Sequence, residues 1–274
     1  MEIKTQQQFQ QVANLSFCYL CGKKFDSKDD ANRDHVPPKC VFANGDRNPP
    51  LILKTHCECN SAHKITDESI GQLVALQRNY VTPNPKNRRL KMERYSGREF
   101  GAVTNVSVVK AIWRYIRGFH AALYREPLFL GTKAGTITTP FTRGHIVAND
   151  LVLEAPKQEQ HFWIVRVIKN QRAVGNVDQI VSNNSKVIYE CVWVLAENVT
   201  AVKLHQRPIA PRRACFFALN IYGWKRLGNV RITPERGCVG AYFTPNDKAP
   251  TGASLHIESA PPVVNHEPWD PFGA

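Results

Sequence analysis

The cysteines of this chain are concentrated near its start. Five of its eight cysteines fall within the first 60 residues, and Cys18 and Cys21 form a C-x-x-C pair. Residues 17–66 have little apolar periodicity, so they cannot build much of a hydrophobic core by themselves. The N-terminal sequence MEIKTQQQFQQ has no apolar stretch of the kind that a secretory signal carries. We therefore expect a reducing, cytoplasmic compartment, in which a clustered C-x-x-C indicates a metal site rather than a disulfide.

A second pair of metal ligands is expected to lie close in space to the first. His56 and Cys59 have the same i, i+3 spacing as the C-x-x-C pair. Three thiolates and one imidazole form a closed, tetrahedral structural zinc site. Cys57 could replace His56 in this set, and Cys40 is a more distant substitute. The alternative is that these thiols only pack, although they lie in the most polar part of the chain.

The charge balance indicates a polyanionic partner. Lys and Arg number 36 against 23 Asp and Glu, which gives a formal net charge of +13. Nucleic acid is the first candidate for such a partner, DNA before RNA. Between positions 78 and 117, ten Lys or Arg stand against two acids. The side chains predicted to neutralise phosphates are Arg88, Arg89, Lys91, Arg94, Lys110, Arg114 and Arg117. The alternative is a solvated helix face.

Pattern and composition predict an α+β chain in four parts. Residues 1–80 hold the metal cluster, preceded by a short Gln-rich helix or arm and followed by a helix over 67–80. Residues 81–124 form a basic connection and an amphipathic helix. Residues 125–245 are predicted to be mostly strand, over 161–168, 186–196, 214–222 and 239–243. Residues 246–274 are a Pro-rich arm or tail. No apolar run reaches the ~20 residues that a membrane span needs.

Three further residues complete a recognisable order of motifs. Asp34 and His35 lie between the two ligand pairs, and Asn60 directly follows Cys59. This order, together with the run RDHVPPK, resembles the HNH endonuclease family over about residues 17–70. The resemblance implies a treble-clef-like ββα-metal fold, in which a zinc-stapled hairpin and a helix hold one catalytic Mg²⁺ or Mn²⁺.

The resemblance also implies roles for individual residues. His35 matches the general base that takes a proton from the attacking water, and Asp34 and Asn60 match the ligands of the catalytic ion. His63 could be an additional ligand or a phosphate contact. The family's middle asparagine has no clean match, and Asn48 is the nearest candidate.

Elementary chemistry supports these roles and also supplies alternatives. A hard cation held by carboxylate and amide oxygens keeps open positions for a phosphate, and a histidine titrates near neutrality. However, adjacent residues on a strand point to opposite faces, so Asp34 and His35 share a site only if the strand is distorted. Asp34 and His35 could instead form a turn before the two prolines, and Asn60 could be only a helix N-cap. Asp67 and Glu68 are interpreted as charges at a helix start.

Three functions are therefore predicted. The first is a metal-dependent HNH endonuclease that hydrolyses DNA phosphodiester bonds, with the C-terminal part targeting, regulating or oligomerising it. The second is a non-catalytic, zinc-bound nucleic-acid-binding module. The third is a nuclease effector subunit that stays silent until a protein partner or ligand engages residues 125–274.

Overall fold

The computed structural model describes the N-terminal half most completely. It covers residues 1–27, 30–78, 91–94, 101–104, 108–128, 145–147, 150–152, 155–196, 212–222, 238–243 and 255–257. The chain is a mixed α+β protein, as predicted. Its helices are α1 (Gln6–Ala13), α2 (Cys57–Ser61), α3 (Lys64–Arg78), α4 (Val108–Tyr124) and α5 (Ala155–Ala173). Its strands are β1 (Glu2–Ile3), β2 (Ala31–Val36), β3 (Leu51–His56), β4 (Lys91–Arg94), β5 (Gly101–Thr104), β6 (His145–Val147), β7 (Asp150–Val152), β8 (Asp178–Ser182), β9 (Val187–Ala196), β10 (Arg212–Ile221), β11 (Cys238–Phe243) and β12 (Leu255–Ile257).

The Gln-rich start forms a capped helix. Thr5 and Gln8 make a reciprocal capping box that satisfies backbone N–H groups at the first turn of α1. Phe9 is buried and anchors the helix to the core. The predicted N-terminal helix is therefore confirmed.

An antiparallel hairpin followed by two helices positions the metal ligands. Strand β2 pairs with β3 from Ala31 opposite His56 to Val36 opposite Leu51. Strand β3 alternates regularly between buried and half-buried positions, as expected for a ribbon with one face on the core. Helix α2 begins at the residue after His56, and α3 follows after a short turn. Strand β3 of the hairpin therefore leads directly into helix α2.

Helix α4 lies at the centre of the hydrophobic core. Trp113, Ile116 and Phe119 have no exposed surface, at the spacing expected for one face of a helix. Gly118 allows this helix to approach the hairpin closely, because an added Cβ would lie 2.6 Å from Val36 Cγ1. The helix that the sequence assigned to the connection is thus a core element, packed against β2, α1 and α3.

The second half of the described chain is built on a larger sheet. Strands β8, β9, β10 and β11 form an antiparallel meander, and β1 joins its edge in parallel with β8. The N-terminal amino group of Met1 lies 2.6 Å from Asp178 Oδ1 at that junction. Three of the strands predicted from the sequence, β9, β10 and β11, are confirmed. From the predicted Pro-rich tail, the structure describes only β12, which pairs in parallel with β9.

The strand predicted over residues 161–168 is wrong, because this segment lies within helix α5. Ile164 and Ile168 are buried, whereas Arg166 is exposed. A strand would place all three side chains on one face and drive Arg166 into the core. A helix places the two isoleucines together and turns the arginine outward, so the burial of charge decides the structure.

No described helix combines the length and the apolar composition that crossing a lipid bilayer requires.

Candidate metal centre and the pocket beside it

The first ligand pair lies on a tight turn. The N–H of Cys18 donates to the carbonyl of Lys23 at 2.8 Å, and the N–H of Gly22 donates to the carbonyl of Cys18 at 2.7 Å. Gly22 has a φ of 75°, which glycine adopts without steric cost. This turn brings the sulfurs of Cys18 and Cys21 to the same side.

The second ligand pair meets the first at the junction of β3 and α2. The ligand atoms of Cys18, Cys21, His56 and Cys59 all lie within 4.8 Å of one another. Tetrahedral zinc with Zn–S bonds of about 2.3 Å requires sulfurs about 3.8 Å apart, so the group is compatible with zinc after small adjustments. The predicted set is confirmed as a group that could hold a metal such as zinc. Cys57 is exposed and outside the group.

Cys40, the more distant alternative ligand, makes a hydrogen bond outside the four-ligand group. The thiol of Cys40 donates to the carbonyl of Asp67 at 3.1 Å. Burial raises the pKa of that thiol to about 12, with a further contribution from the charge of Asp67. Cys40 is therefore a neutral packing residue and not a substitute ligand.

The local electrostatics of the four-ligand group favour a bound cation. Burial raises the pKa of the Cys18 thiol, but hydrogen bonds from Thr55 and from backbone N–H groups outweigh it and lower the pKa to about 7. Burial and the neighbouring thiols Cys18 and Cys21 raise the pKa of Cys59 to about 12. Several thiolates repel one another at this spacing, and a divalent cation removes that repulsion. The group therefore suits a metal better than it suits free thiols.

Beside this group, Asp34 and Asn60 meet at a single cationic side chain. Nη2 of Arg114 donates to Asp34 Oδ2 at 2.6 Å and to Asn60 Oδ1 at 3.2 Å. The side chain of Arg114 is only 1% exposed, and that of Asp34 is 5% exposed. The two oxygens that the sequence assigns to a catalytic ion therefore lie close together, and that assignment stays a prediction. The cation between them is a guanidinium from helix α4.

Two further residues of this pocket were missed from the sequence. Nη1 of Arg114 pairs with Asp67 Oδ2, and the hydroxyl of Tyr19 donates to Asp34 Oδ2. Asp67 lies in the first turn of α3, as predicted, and it also forms a largely buried ion pair with Arg114. Burial raises the pKa of Asp67 to about 6, although the charge of Arg114 acts to lower it. No local spacing signals this contact, because Asp67 and Arg114 are 47 positions apart.

The predicted basic stripe on helix α4 needs correction. Arg114 is buried in the pocket just described, and Arg117 is 8% exposed and donates to the carbonyl of Leu20. Both side chains compensate interior polar groups and are not available to solvent phosphates. Among the other predicted contacts, Arg88 and Arg89 lie outside the described residues. Lys91, Arg94 and Lys110 lie in β4 and α4, but their side chains are outside the described part.

His35 lies on the other face of β2 from Asp34. It is half-buried and stands opposite Ile52, whereas Asp34 and Val36 point into the core. Burial lowers the pKa of His35 to about 4, with a further contribution from the charges of Lys39, Arg33 and Arg47. The charge of Asp34 acts in the opposite direction, yet the imidazole is neutral at pH 7 and is a weaker base than an exposed histidine.

Among the described residues, His63 lies outside the four-ligand group. It lies in the turn between α2 and α3, where its N–H donates to the carbonyl of Asn60 at 3.1 Å. In the described part of the chain, Cys18, Cys21, His56 and Cys59 are the only group of three or more Cys, His, Asp or Glu close enough to share an ion. The role of His63 as a further ligand stays a prediction.

Comparisons with known proteins return no family: no protein-family model matches the chain, and neither a curated protein nor a solved structure matches it significantly.

Proposed function

We propose that this chain is an endonuclease of the HNH type that hydrolyses phosphodiester bonds in DNA. In this proposal the zinc group staples the hairpin of β2 and β3 to α2. His35 takes a proton from the attacking water, and Asp34 and Asn60 hold a catalytic Mg²⁺ or Mn²⁺. The larger sheet targets or regulates the nuclease, through a protein partner or a second copy. The described cysteines form no disulfide, which suits a cytoplasmic site of action.

The convergence of Asp34 and Asn60 carries the proposal. These residues are 26 positions apart on β2 and α2, yet both oxygens contact the same nitrogen of Arg114. Carboxylate and amide oxygens are the ligands that a hard divalent ion prefers. The fold therefore places the side-chain oxygens of Asp34 and Asn60 around one positive charge.

His35 could reach a phosphate near this pocket along the edge of the hairpin. Strand β2 pairs with β3 and, among the described strands, with no other, so one edge of β2 carries no strand partner. Asp34 and His35 leave the strand on opposite faces, so the proposal requires the phosphate to lie across that edge. The imidazole of His35 is unprotonated at pH 7, as a general base must be, but its pKa of about 4 makes it a weaker base than an ordinary histidine, so the proposal requires the bound substrate to raise that pKa.

The donor chemistry of the pocket fits a divalent ion, but the position is taken by the guanidinium of Arg114. When bound, such an ion would neutralise charge that develops on a phosphate oxygen. Asp34 and Asn60 would hold it, and Arg114 would have to withdraw first. This arrangement favours a nuclease that stays silent until a partner or ligand shifts helix α4.

The same observation favours a second candidate, a non-catalytic, zinc-stapled nucleic-acid-binding module. Here the Arg114 network is a permanent structural element, and Asp34 and Asn60 serve only to pair the guanidinium. The position of His35 on the opposite face of β2 also agrees with this candidate.

Plasmid nicking in the presence of Mn²⁺ or Mg²⁺ separates the two candidates. Wild type is compared with His35→Ala and with Arg114→Lys, in which the lysine keeps the charge but cannot bridge Asp34, Asp67 and Asn60 at once. Under the nuclease proposal, Arg114→Lys increases metal-dependent nicking, and adding His35→Ala abolishes it. If wild type and Arg114→Lys both bind DNA but do not nick it, with or without added cell extract, the second candidate is favoured. Nicking that survives His35→Ala contradicts the role of this residue.

A further inference from the structure

The outer face of the hairpin carries two cations directly opposite each other. Arg33 on β2 stands opposite Lys54 on β3 in the antiparallel register. Arg33 is exposed and Lys54 is half-buried. Directly opposed side chains have Cβ atoms about 4.5–5.5 Å apart, and like charges at this position destabilise a hairpin. This pair of cations does not stabilise the hairpin itself, whereas a bound external anion offsets the repulsion between them.

The positive charge continues along the same face towards the hairpin loop. His35 is the next residue of β2 on this side, and Lys39 and Arg47 lie close enough for their charges to act on its imidazole. Lys39 is exposed and Arg47 is half-buried. Positive groups therefore flank His35 from both ends of the hairpin.

At the zinc end, this face opens into a groove of about 830 Å³ between the hairpin and the preceding turn. Arg33 and Lys54 line the groove together with Asn32 and Phe25, and the ring of Phe25 has its centroid 5.0 Å from that of His56. Among the described residues that line the groove, Arg33 and Lys54 are positive and Asp26 is negative. Cationic side chains bind backbone phosphates, and aromatic side chains stack on bases. A groove that contains both types of side chain suits a nucleic-acid strand.

We propose that the outer face of the β2–β3 hairpin, with Arg33, Lys54, Lys39 and Arg47, binds the backbone phosphates of the nucleic-acid substrate. This surface replaces Arg114 and Arg117, which the fold buries, as a source of phosphate contacts. The inference rests on the proposed partner, nucleic acid, and it applies to both candidate functions. It also places the bound strand over His35.

The test measures DNA binding by the full chain without added divalent ion. Binding is monitored by the fluorescence anisotropy of a fluorescein-labelled DNA duplex across a salt series. The test variant is Arg33→Gln with Lys54→Gln. The matched control is Arg166→Gln with Lys169→Gln, which removes two exposed cations from helix α5. We expect a several-fold weaker affinity for the hairpin variant and a salt slope reduced by about 1.8, because each lost phosphate contact removes about 0.9. The control keeps most of its affinity and its slope.

Folding is checked independently of binding. Removing both of the opposed like charges relieves their repulsion, so we expect the hairpin variant to retain its zinc and to unfold at the same or a higher urea concentration than wild type. The exchange variant Arg33→Lys with Lys54→Arg keeps both charges and should retain the wild-type salt slope.

Three outcomes would overturn the inference. Equal loss of affinity in the hairpin variant and the α5 control means that only net charge matters, and the hairpin surface is rejected while nucleic-acid binding stands. Displacement of DNA by polyglutamate at equal charge concentration assigns the surface to an acidic protein segment instead. No binding of DNA or RNA by wild type at low salt removes the proposed function together with this surface.

Discussion

Replacing Arg114 by methionine tests the buried network most directly. The substitution keeps a long apolar side chain in the core but removes the guanidinium. Asp34, with a side chain 5% exposed, then keeps only the hydroxyl of Tyr19 as a partner. Asp67, with a side chain 14% exposed, loses its ion pair. Two carboxyl groups are left in the interior without a countercharge.

The expected cost follows from the two ways in which the protein can respond. Breaking a buried ion pair by removing one partner costs about 3–5 kcal/mol. Protonating a carboxyl at pH 7 instead costs about 4 kcal/mol, since it lies about three pH units above the usual pKa of Asp. The free energy of unfolding should therefore fall by about 3–4 kcal/mol at pH 7.

The loss should also depend on pH with a definite sign. Burial already raises the pKa of Asp67 to about 6 against the charge of Arg114, and removing that charge raises the pKa further. A carboxyl whose pKa is higher in the folded state than in the unfolded state stabilises the fold as the pH falls. The deficit of the variant should therefore shrink by up to about 1.4 kcal/mol per unit between about pH 8 and pH 6.

Urea unfolding followed by tryptophan fluorescence measures both quantities. Arg166→Met is the control, because it removes an exposed arginine and should change the stability by less than about 0.5 kcal/mol. Adding Asp67→Asn to Arg114→Met should recover part of the loss. If Arg114→Met costs no more than the control, or if its deficit does not change with pH, the guanidinium is not buried between these carboxyls.

Three other outcomes are expected. Purified wild type and Cys57→Ser should each contain about one zinc per chain by elemental analysis, whereas Cys59→Ser should contain none; equal zinc in both variants would exclude the four-ligand group. Gly118→Ala should destabilise the protein by about 1–3 kcal/mol, because the added methyl group overlaps with Val36. Helix propensity alone favours alanine by about 1 kcal/mol, so an increase in the urea midpoint would contradict the close contact. Burial lowers the pKa of His120, against the influence of Glu126, so the free energy of unfolding falls as the pH drops below about 6.5, where the histidine of the unfolded chain becomes protonated. His120→Gln should flatten this fall in urea titrations at several pH values. An equally steep fall in the variant would contradict the neutral, buried state of His120.

Local patterns predicted much of the secondary structure. The period of apolar residues identified helix α4, and β-branched and aromatic runs identified β9, β10 and β11. The same runs misled at residues 161–168, where β-branched composition was given more weight than the position of Arg166 between two buried isoleucines. Propensity describes single residues, whereas the choice of helix or strand there depends on which side chains meet the neighbouring sheet.

The spacing of the cysteines and His56 was enough to identify the group that could hold a metal such as zinc, because i, i+3 spacing and thiol chemistry act over a few residues and need only one hairpin to join the two pairs. The order of motifs also assigned Asp34 and Asn60 to one site, as a prediction. The side chain that lies between them depends instead on a long-range contact. Arg114 is 80 positions from Asp34, and it reaches the carboxylate because Gly118 lets helix α4 lie against the hairpin. A charge that a sequence pattern assigns to solvent becomes an interior countercharge when its helix faces buried acids, because an unpaired carboxylate in the core costs more than burying the arginine beside it.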